Sequence, residues 1–301
     1  MITRKVIINT AKEVGFDLVG VVPAEPLVGE HNTFKEWLLE GRHSTLGYLE
    51  RNVEKRFDAS LLVEGAQSVI VCAVSYLSTF SRGYAENCST KIASYALAAD
   101  YHITIKHMLA ELASRLREYA PELQFRAFTD SAPVAEKSLA VRAGLGWIGR
   151  NSLVVTPEYG SMVLLGELII NEGVDTYNIP LDNVGCGECR RCVEACPNEA
   201  IMSNRLIDTR RCVSCRTIER EADGEIPLNG WIFGCDACQS VCPYNRRAPL
   251  HKNRSFDPLF DPSTLDADAW LMMSDDEFRS MAGATPMTRA GLERIKRNIG
   301  K

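Results

Sequence analysis

The sequence predicts an α+β protein, in which a mixed α/β domain precedes a small cysteine-rich domain. Up to about residue 175, apolar runs of strand length alternate with segments whose apolar residues recur at helical spacing. Beyond that point, nine of the eleven cysteines lie between Cys186 and Cys242. The chain has 301 residues, 46% hydrophobic and 24% charged, which is an ordinary globular balance and excludes disordered and collagen-like classes.

Each element of the first half follows from periodicity and from residues that stop helices. Ile7, Ala11 and Val14 share one helical face, whereas Gly41 and Pro121 end later helices. The predicted helices span residues 1–15, 33–40, 101–119 and 133–143, and the predicted strands span 16–22, 68–76, 124–129, 152–156 and 162–170. We expect the last two strands to pair across the turn at 157–160. Two short helices are predicted near 266–281 and 286–299.

Charge and hydropathy limit the compartment and the partners. Thirty-four basic and 39 acidic side chains give a net charge of −5, which argues against a generic nucleic-acid coat but allows a local basic patch. Asn9, Lys12 and Glu13 interrupt the apolar N-terminus, so it does not resemble a signal peptide, and no apolar run reaches the length of a membrane span. We therefore expect a cytoplasmic protein without membrane contact, whose clustered cysteines bind metal rather than form disulfides.

The cysteines follow the pattern of bacterial ferredoxins. A C-x2-C-x2-C-x3-C-P run is formed by Cys186, Cys189, Cys192, Cys196 and Pro197. A second run, C-x2-C-x3-C-P, is formed by Cys235, Cys238, Cys242 and Pro243, and either Cys212 or Cys215 can supply its missing thiolate. Two [4Fe–4S] clusters need eight thiolates, which leaves one cysteine of the region over. Zinc would favour two C-x2-C pairs and would not require the third cysteine or the prolines.

Two further motifs carry weaker signals. Residues 144–149 match G-x-G-x-x-G, and Glu167 lies where a ribose ligand would be expected. However, the glycines follow a predicted helix and precede a strand, which is the reverse of a dinucleotide site, so we interpret them as a tight loop. Asp100-Tyr101-His102 begins like a D-x-H-x-x-G cobalt-binding signature, but Ile105 replaces its glycine. His102 is therefore predicted to be a surface or helix-start histidine.

Taken together, the motifs resemble the epoxyqueuosine reductase family along nearly the whole chain. Besides the cysteine runs, the resemblance rests on segments 94–97, 100–102, 129–133, 143–149, 165–168, 211–212, 217–219 and 234–236. It implies that the epoxide of epoxyqueuosine, at the wobble position of tRNA, is reduced to the alkene of queuosine. It also implies that electrons pass through two [4Fe–4S] clusters to a base-off cobalamin, which has no sequence signature of its own.

The resemblance further implies domains and residue roles. Residues 1–175 would form a cobalamin-binding catalytic domain, 176–250 a ferredoxin-like domain and 251–301 a short helical segment. One cluster would be bound by Cys186, Cys189, Cys192 and Cys242, and the other by Cys196, Cys212, Cys235 and Cys238. Cobalamin contacts are implied for Arg56, Tyr95, Asp130, Ser131, Trp147, Gly149, Asn151, Ser152 and Ser214. Asp130 would be the proton donor, although local sequence alone favours a helix cap at this position.

Three expectations about partners and alternatives complete the sequence-based view. Longer relatives have a helical-repeat extension after the position of Asn298, so tRNA is expected to dock here without it, with basic stretches at 244–254 and 285–301 as a phosphate track. The expected electron donor is a low-potential flavodoxin or ferredoxin, and the expected oligomeric state is a monomer. The alternative functions are another cobalamin-dependent reductase acting on a small molecule, and an iron–sulfur electron-transfer module.

Overall fold

The computed structural model describes residues 2–85, 87–219 and 225–301, so residue 1 of the predicted N-terminal helix lies outside the described part. Its α-helices are α1 Arg4–Val14, α2 Val28–Leu39, α3 Val53–Phe57, α4 Tyr101–Leu116, α5 Glu136–Arg142, α6 Arg191–Glu194, α7 Val213–Ile218, α8 Ala237–Ser240, α9 Pro243–Arg247, α10 Ala267–Met272, α11 Asp275–Ala282 and α12 Leu292–Asn298. Its strands are β1 Leu18–Pro23, β2 Ser68–Ser75, β3 Lys91–Ile92, β4 Phe125–Phe128, β5 Trp147–Ile148, β6 Val154–Val155, β7 Val163–Ile170 and β8 Trp231–Phe233.

A four-stranded antiparallel sheet, in the order β1-β2-β7-β4, forms the centre of the first half. Every residue of β2 is buried, because helices cover both faces of the sheet. On one face, Ile70 and Leu168 pack with Ile105 of α4 and Ile7 of α1. On the other face, strand residues pack with α5. The continuous apolar strands at 68–76 and 162–170 predicted from the sequence are thus confirmed as sheet interior.

The expected hairpin between residues 152–156 and 162–170 is wrong. Val154 and Val155 pair instead with the short strand Trp147–Ile148, and a single bridge joins Thr156 to Gly160. A Cβ atom at Gly146 would lie 2.2 Å from the carbonyl oxygen of Val155, so the glycine allows this close approach. Strand β7 pairs instead with β2 and β4 of the central sheet, because both of its edges need backbone hydrogen-bond partners.

Some predicted helices differ in their bounds. Helix α2 begins at Val28, five residues before the predicted start at residue 33, and Leu27 provides no side-chain cap that sequence could signal. The helix predicted near 266–281 is two helices. Ser274 and Glu277 form a capping box that starts α11 immediately after α10 ends.

The second half is joined to the first through a shared apolar core. Strand β3 pairs in parallel with β8, which immediately precedes Gly234 and Cys235. Around this pair, Ile92 and Phe233 pack with Trp270 of α10 and Ile295 of α12. The C-terminal helices therefore pack against residues 92–97 and 231–233 together. Among the described helices, none has the length and apolar character needed to cross a membrane.

Candidate active site and cluster-binding region

Asp130 lies in the loop between β4 and α5, and it does not cap a helix. The N-cap of α5 is Ala135, which makes no side-chain cap bond. Asp130 has φ 54°, in the left-handed region that non-glycine residues adopt at a cost in free energy. Its side chain is 49% exposed, and the surface around it, formed by Tyr95, Tyr101, His102 and Ser131, is called the cleft below. The capping role that local sequence favours is therefore wrong for this residue.

Two side chains from the start of α4 bind the Asp130 carboxylate. Tyr101 Oη donates to Asp130 Oδ2 at 2.6 Å, and His102 Nε2 lies 3.2 Å from the same oxygen. The other ring nitrogen of His102 lies 2.7 Å from Asp100 Oδ1, and Asp100 also caps the helix. His102 is a helix-start residue, as predicted, but its link to Asp130 was missed. The Asp100-Tyr101-His102 motif was the available signal.

These hydrogen bonds determine the protonation of Asp130. Burial alone would raise its pKa, but the hydrogen bonds from His102 and Tyr101 lower the pKa below its ordinary value. The hydrogen bond to Asp130 conversely raises the pKa of His102, although burial opposes this. These hydrogen bonds therefore favour a proton on the His102 ring and a charged Asp130 carboxylate.

Two glutamates lie behind the Asp130 loop. The backbone N–H of Asp130 donates to Glu136 Oε1 at 2.5 Å. Glu167, in the middle of β7, is fully buried, and the carboxyl of Glu136 is its nearest titratable neighbour. Burial first, and then the charge of Asp130, raise the pKa of Glu136 to about 7, while burial raises the pKa of Glu167 well above its usual range. Burial inside the sheet excludes Glu167 as a ribose ligand.

Several of the side chains implied to contact cobalamin lie around the same cleft. Tyr95 packs edge-on against Tyr101, with ring centroids 5.9 Å apart. The carbonyl of Arg56 accepts the N–H of Ala135, just before α5. Lys106 Nζ donates to Ser131 Oγ at 3.2 Å. These contacts bring residues from three separate segments to the Asp130 loop.

The glycine loop and its neighbours lie between the cleft and the cysteines. Lys137 Nζ donates to the carbonyl of Ser152 at 2.8 Å, which joins this loop to α5. Asn151 is buried, and its Oδ1 would lie 2.7 Å from a Cβ at Gly149. Trp147 points away from Asp130: its Nε1 donates to Cys186 Sγ at 3.5 Å, and its ring packs on Tyr244. Ser214 lies in α7, two residues after Cys212.

A separate cavity of about 390 Å³ opens near Asp130. It is lined by Thr45, Leu46, Tyr48, Arg51, Ile218, Glu219 and Arg289. Arg289 forms an ion pair with Glu219 at 2.9 Å, and its charge lowers the pKa of Asp130. The cavity therefore lies between the α/β half and α7 of the cysteine-rich half.

The thiols fall into two neighbouring sets. Burial raises the pKa of Cys192, and so do the nearby thiols of Cys186, Cys242 and Cys189. Burial raises the pKa of Cys235 to about 12, with contributions from Asp236 and from the thiols of Cys212 and Cys196. Burial raises the pKa of Cys238, and so do the nearby thiols of Cys235, Cys212 and Cys192. Most of these neighbours fall within one of the two sets of four implied by the resemblance, whereas Cys192 and Cys238 come from different sets.

Cys215 differs from the other cysteines of the region. Burial and the nearby thiol of Cys212 raise the pKa of Cys215, and the charged side chains around it are those of Glu219, Arg216 and Arg294. Cys196 Sγ, in contrast, accepts the backbone N–H of Ala200 at 3.2 Å, an arrangement that suits a cluster ligand.

Within the described ranges, no three His, Cys, Asp or Glu side chains are close enough together to bind one metal ion.

Two family models match the chain in the regions that carry these features. Residues 56–131 match "Epoxyqueuosine reductase QueG, DUF1730", and residues 185–245 match "4Fe-4S double cluster binding domain". An epoxyqueuosine reductase of Cyclobacterium marinum is 40% identical over 98% of this chain and 95% of its own length. One of Pseudomonas aeruginosa is 37% identical over 96% of this chain and 81% of its own.

Solved structures agree with this match. An epoxyqueuosine reductase with a tRNA-Tyr epoxyqueuosine-modified stem loop aligns at TM-score 0.86 and 26% identity, covering 98% of this chain and 79% of that one. The Bacillus subtilis enzyme, with its catalytic loop swung out of the active site, aligns with the same scores and coverage. A catabolic reductive dehalogenase aligns at TM-score 0.50 and 18% identity, which shows a related fold alone.

The fold and the thiol sets define an iron–sulfur oxidoreductase, in which a sheet domain with a polar cleft is joined to a module for two [4Fe–4S] clusters. Within this class, the chain belongs to the epoxyqueuosine reductase family.

Proposed function

We propose that this chain reduces epoxyqueuosine in tRNA to queuosine, with Asp130 as the proton donor. The observation that carries the proposal is the carboxylate of Asp130 at the mouth of a cleft, held by two proton-bearing side chains. Family membership, and the related structure with a modified tRNA stem loop, support the choice of substrate. Reduction of an epoxide to an alkene consumes two electrons and two protons and releases one water.

The residues around Asp130 supply protons to the departing oxygen. An epoxide oxygen leaves poorly as an alkoxide, so a positioned acid lowers the barrier. Asp130 is a carboxylate in the open cleft, with the proton held on His102. When tRNA covers the cleft and excludes water, burial favours the neutral acid, and the proton moves from His102 Nε2 to Asp130 Oδ2 over their 3.2 Å contact. Asp130 then donates it to the substrate as the first of the two protons, and His102 is reprotonated from solvent to supply the second by the same route.

The two clusters provide the electron path. We assign Cys186, Cys189, Cys192 and Cys242 to one cluster, and Cys196, Cys212, Cys235 and Cys238 to the other. The thiol neighbours described above support both sets, and the polar surroundings of Cys215 support leaving it out. A flavodoxin or ferredoxin of low potential would donate electrons to one of the two clusters.

The cleft suits a corrin in its donor chemistry. Arg56 Nε and Arg150 Nε are buried and have no hydrogen-bond partner within the described residues, whereas a corrin carries peripheral amides that accept hydrogen bonds. We propose that Arg56, Tyr95, Asp130, Ser131, Gly149, Asn151, Ser152 and Ser214 surround it, with Trp147 on the side facing Cys186. When bound, base-off cobalamin supplies a strongly reducing cobalt centre. The residues of the chain orient the substrate, exclude water and deliver protons.

The tRNA is proposed to dock over the basic stretch at 244–254, where Arg246 and Arg247 are exposed. Arg294 is a poorer candidate, because it donates to the backbone carbonyls of Arg216 and Glu219. We further propose a cytoplasmic monomer organised as residues 1–175, 176–250 and 251–301. The shared core of β3, β8, α10 and α12 contains residues from all three parts, which supports a chain that folds as one unit.

Substitution of Asp130 by Asn tests the proposal. The amide keeps the shape and removes the acid, so single-turnover reduction of epoxyqueuosine tRNA should slow by about a hundred- to ten-thousand-fold. Cobalt content, iron content and tRNA affinity should stay near wild type, because the carboxylate is 49% exposed and supports no helix end.

The matched control is Asp268→Asn, an equally conservative change at an exposed position of α10, which should leave turnover unchanged. Near-normal turnover of fully metallated Asp130→Asn protein would remove Asp130 as the donor. Failure of wild-type, cobalt-loaded protein on modified tRNA would favour the small-molecule reductase. Iron without cobalt after anoxic purification would favour an electron-transfer module.

A further inference from the structure

The backbone of Asp130 is held by an acceptor that has no role in the steps above. Asp130 adopts φ 54°, a conformation that costs free energy for a residue with a Cβ. Its N–H donates to Glu136 Oε1 at 2.5 Å. The segment lacks helix or strand bonds at this point, although Ser131 N donates back to the carbonyl of Thr129 at 2.5 Å. The Glu136 carboxyl is therefore the side-chain anchor of the strained residue.

Glu136 is held in turn by Glu167. Glu167 is fully buried, and no N–H or hydroxyl group of the described residues donates a hydrogen bond to either of its carboxyl oxygens. Its neighbour is the carboxyl of Glu136, so the two can hydrogen-bond when Glu167 carries a proton. The register of β7 fixes Glu167 between Val71 of β2 and Phe128 of β4, which leaves it little freedom to move.

We propose that Glu136 and Glu167 form a carboxyl latch, in which protonated Glu167 orients Glu136 and Glu136 fixes the backbone of Asp130 in the cleft. Glu136 and Glu167 are positioning residues, since neither reaches the cleft side of the Asp130 carboxylate. The expected effect on turnover rests on the proposed function, because it requires Asp130 to be the donor. The effect on the loop itself does not.

The charges around the latch give it a direction in pH. The groups facing it are Asp130 from the loop, Lys137 from α5 and Cys72 from β2. Burial and the charge of Asp130 raise the pKa of Glu136, whereas Lys137 opposes this. An ionised carboxylate accepts an N–H more strongly than a neutral acid. The latch therefore tightens as the pH rises through about 7, where Glu136 loses its proton while Glu167 keeps its own.

Hydrogen exchange of peptides covering residues 128–134 measures the latch without any turnover. In Glu136→Ala the Asp130 amide loses its acceptor, and its exchange should rise by about two- to tenfold, the loss expected for one hydrogen bond. Glu136→Gln keeps a carbonyl acceptor and an N–H for Glu167, so at pH 6, where Glu136 is itself protonated, its exchange should stay near wild type. Both variants remove the same negative charge from the first turn of α5, so their difference isolates the anchor.

Turnover provides the second readout. Single-turnover reduction by cobalt-loaded Glu136→Ala protein should fall while tRNA affinity is kept, and Glu136→Gln should restore the rate. Unchanged exchange in Glu136→Ala would overturn the latch. Faster exchange with normal turnover would support the latch and count against Asp130 as the donor.

Wild-type protein gives a test that needs no substitution. After correction for intrinsic exchange, protection of the 128–134 peptides should increase between pH 6 and 8 as Glu136 ionises. The same step should be missing in Glu136→Gln, where no proton is lost. A flat wild-type profile would overturn the pH-dependent form of the latch, even if Glu136→Ala failed to fold.

Discussion

The two halves of the chain assemble their chemistry in opposite ways. In the cysteine-rich half, each cysteine run lies within about a dozen residues, and its spacing identifies the thiols as cluster ligands. In the α/β half, Asp130 meets Tyr101 and His102 across 29 and 28 positions, and its backbone acceptor belongs to the next helix. A site built from local spacing is visible in the sequence, whereas a site built from tertiary packing is not.

The largest expected effect tests how strictly spacing governs the cysteine-rich half. Cys212→Ser should lose about four of the eight cluster irons per chain, because its thiol lies among Cys196, Cys235 and Cys238. Cys215→Ser should keep all eight, since Cys215 lies beside Glu219 and Arg216. Iron and sulfide analysis of anoxically purified protein distinguishes the two. Equal losses would mean that the C-x2-C pair shares the role of eighth ligand.

An intermediate effect is expected from the basic stretch that follows the second cysteine run. Arg246 is exposed, and Arg247 stacks over Tyr244 with its guanidinium 5.0 Å from the ring centroid. Changing both to Gln should weaken tRNA binding and reduce the slope of log K against log salt by roughly 0.7 to 0.9 for each phosphate that is no longer neutralised. Fluorescence titration at several salt concentrations measures this. Arg279→Gln, on exposed α11, is the control. An unchanged slope would place the tRNA on another surface.

The smallest effect concerns the contact that crosses between the halves. Trp147 Nε1 donates to Cys186 Sγ at 3.5 Å, and such bonds favour the more negative, reduced cluster. Trp147→Phe removes the donor and should lower the reduction potential of that cluster by about 20 to 60 mV, the equivalent of one hydrogen bond. An EPR-monitored redox titration checks this, with Trp231→Phe as the matched control. An unchanged reduction potential would show that the indole of Trp147 packs against Cys186 without a hydrogen bond that affects the cluster.

The same contrast explains which parts of the site could be predicted from the sequence. The thiols were found from spacing, and the central strands from their continuous apolar character. Asp130 was assigned by resemblance alone. Glu136 and Glu167 were missed because two acids 31 positions apart give no periodic signal, and only the register of β7 with β4 brings them together. The hairpin at 152–170 failed for a related reason, since adjacency in sequence favoured a pairing that the central sheet prevented.

The pairing of β3 with β8 has a mechanical consequence. Asp236, next to Cys235, accepts hydrogen bonds from both the backbone N–H and the hydroxyl of Ser94, at 2.7 and 2.8 Å. Tyr95 follows directly and reaches Tyr101, the partner of Asp130. A continuous series of contacts thus runs from a cluster ligand to the side chain that holds Asp130, so the cluster-binding region and the Asp130 loop are not independent of each other.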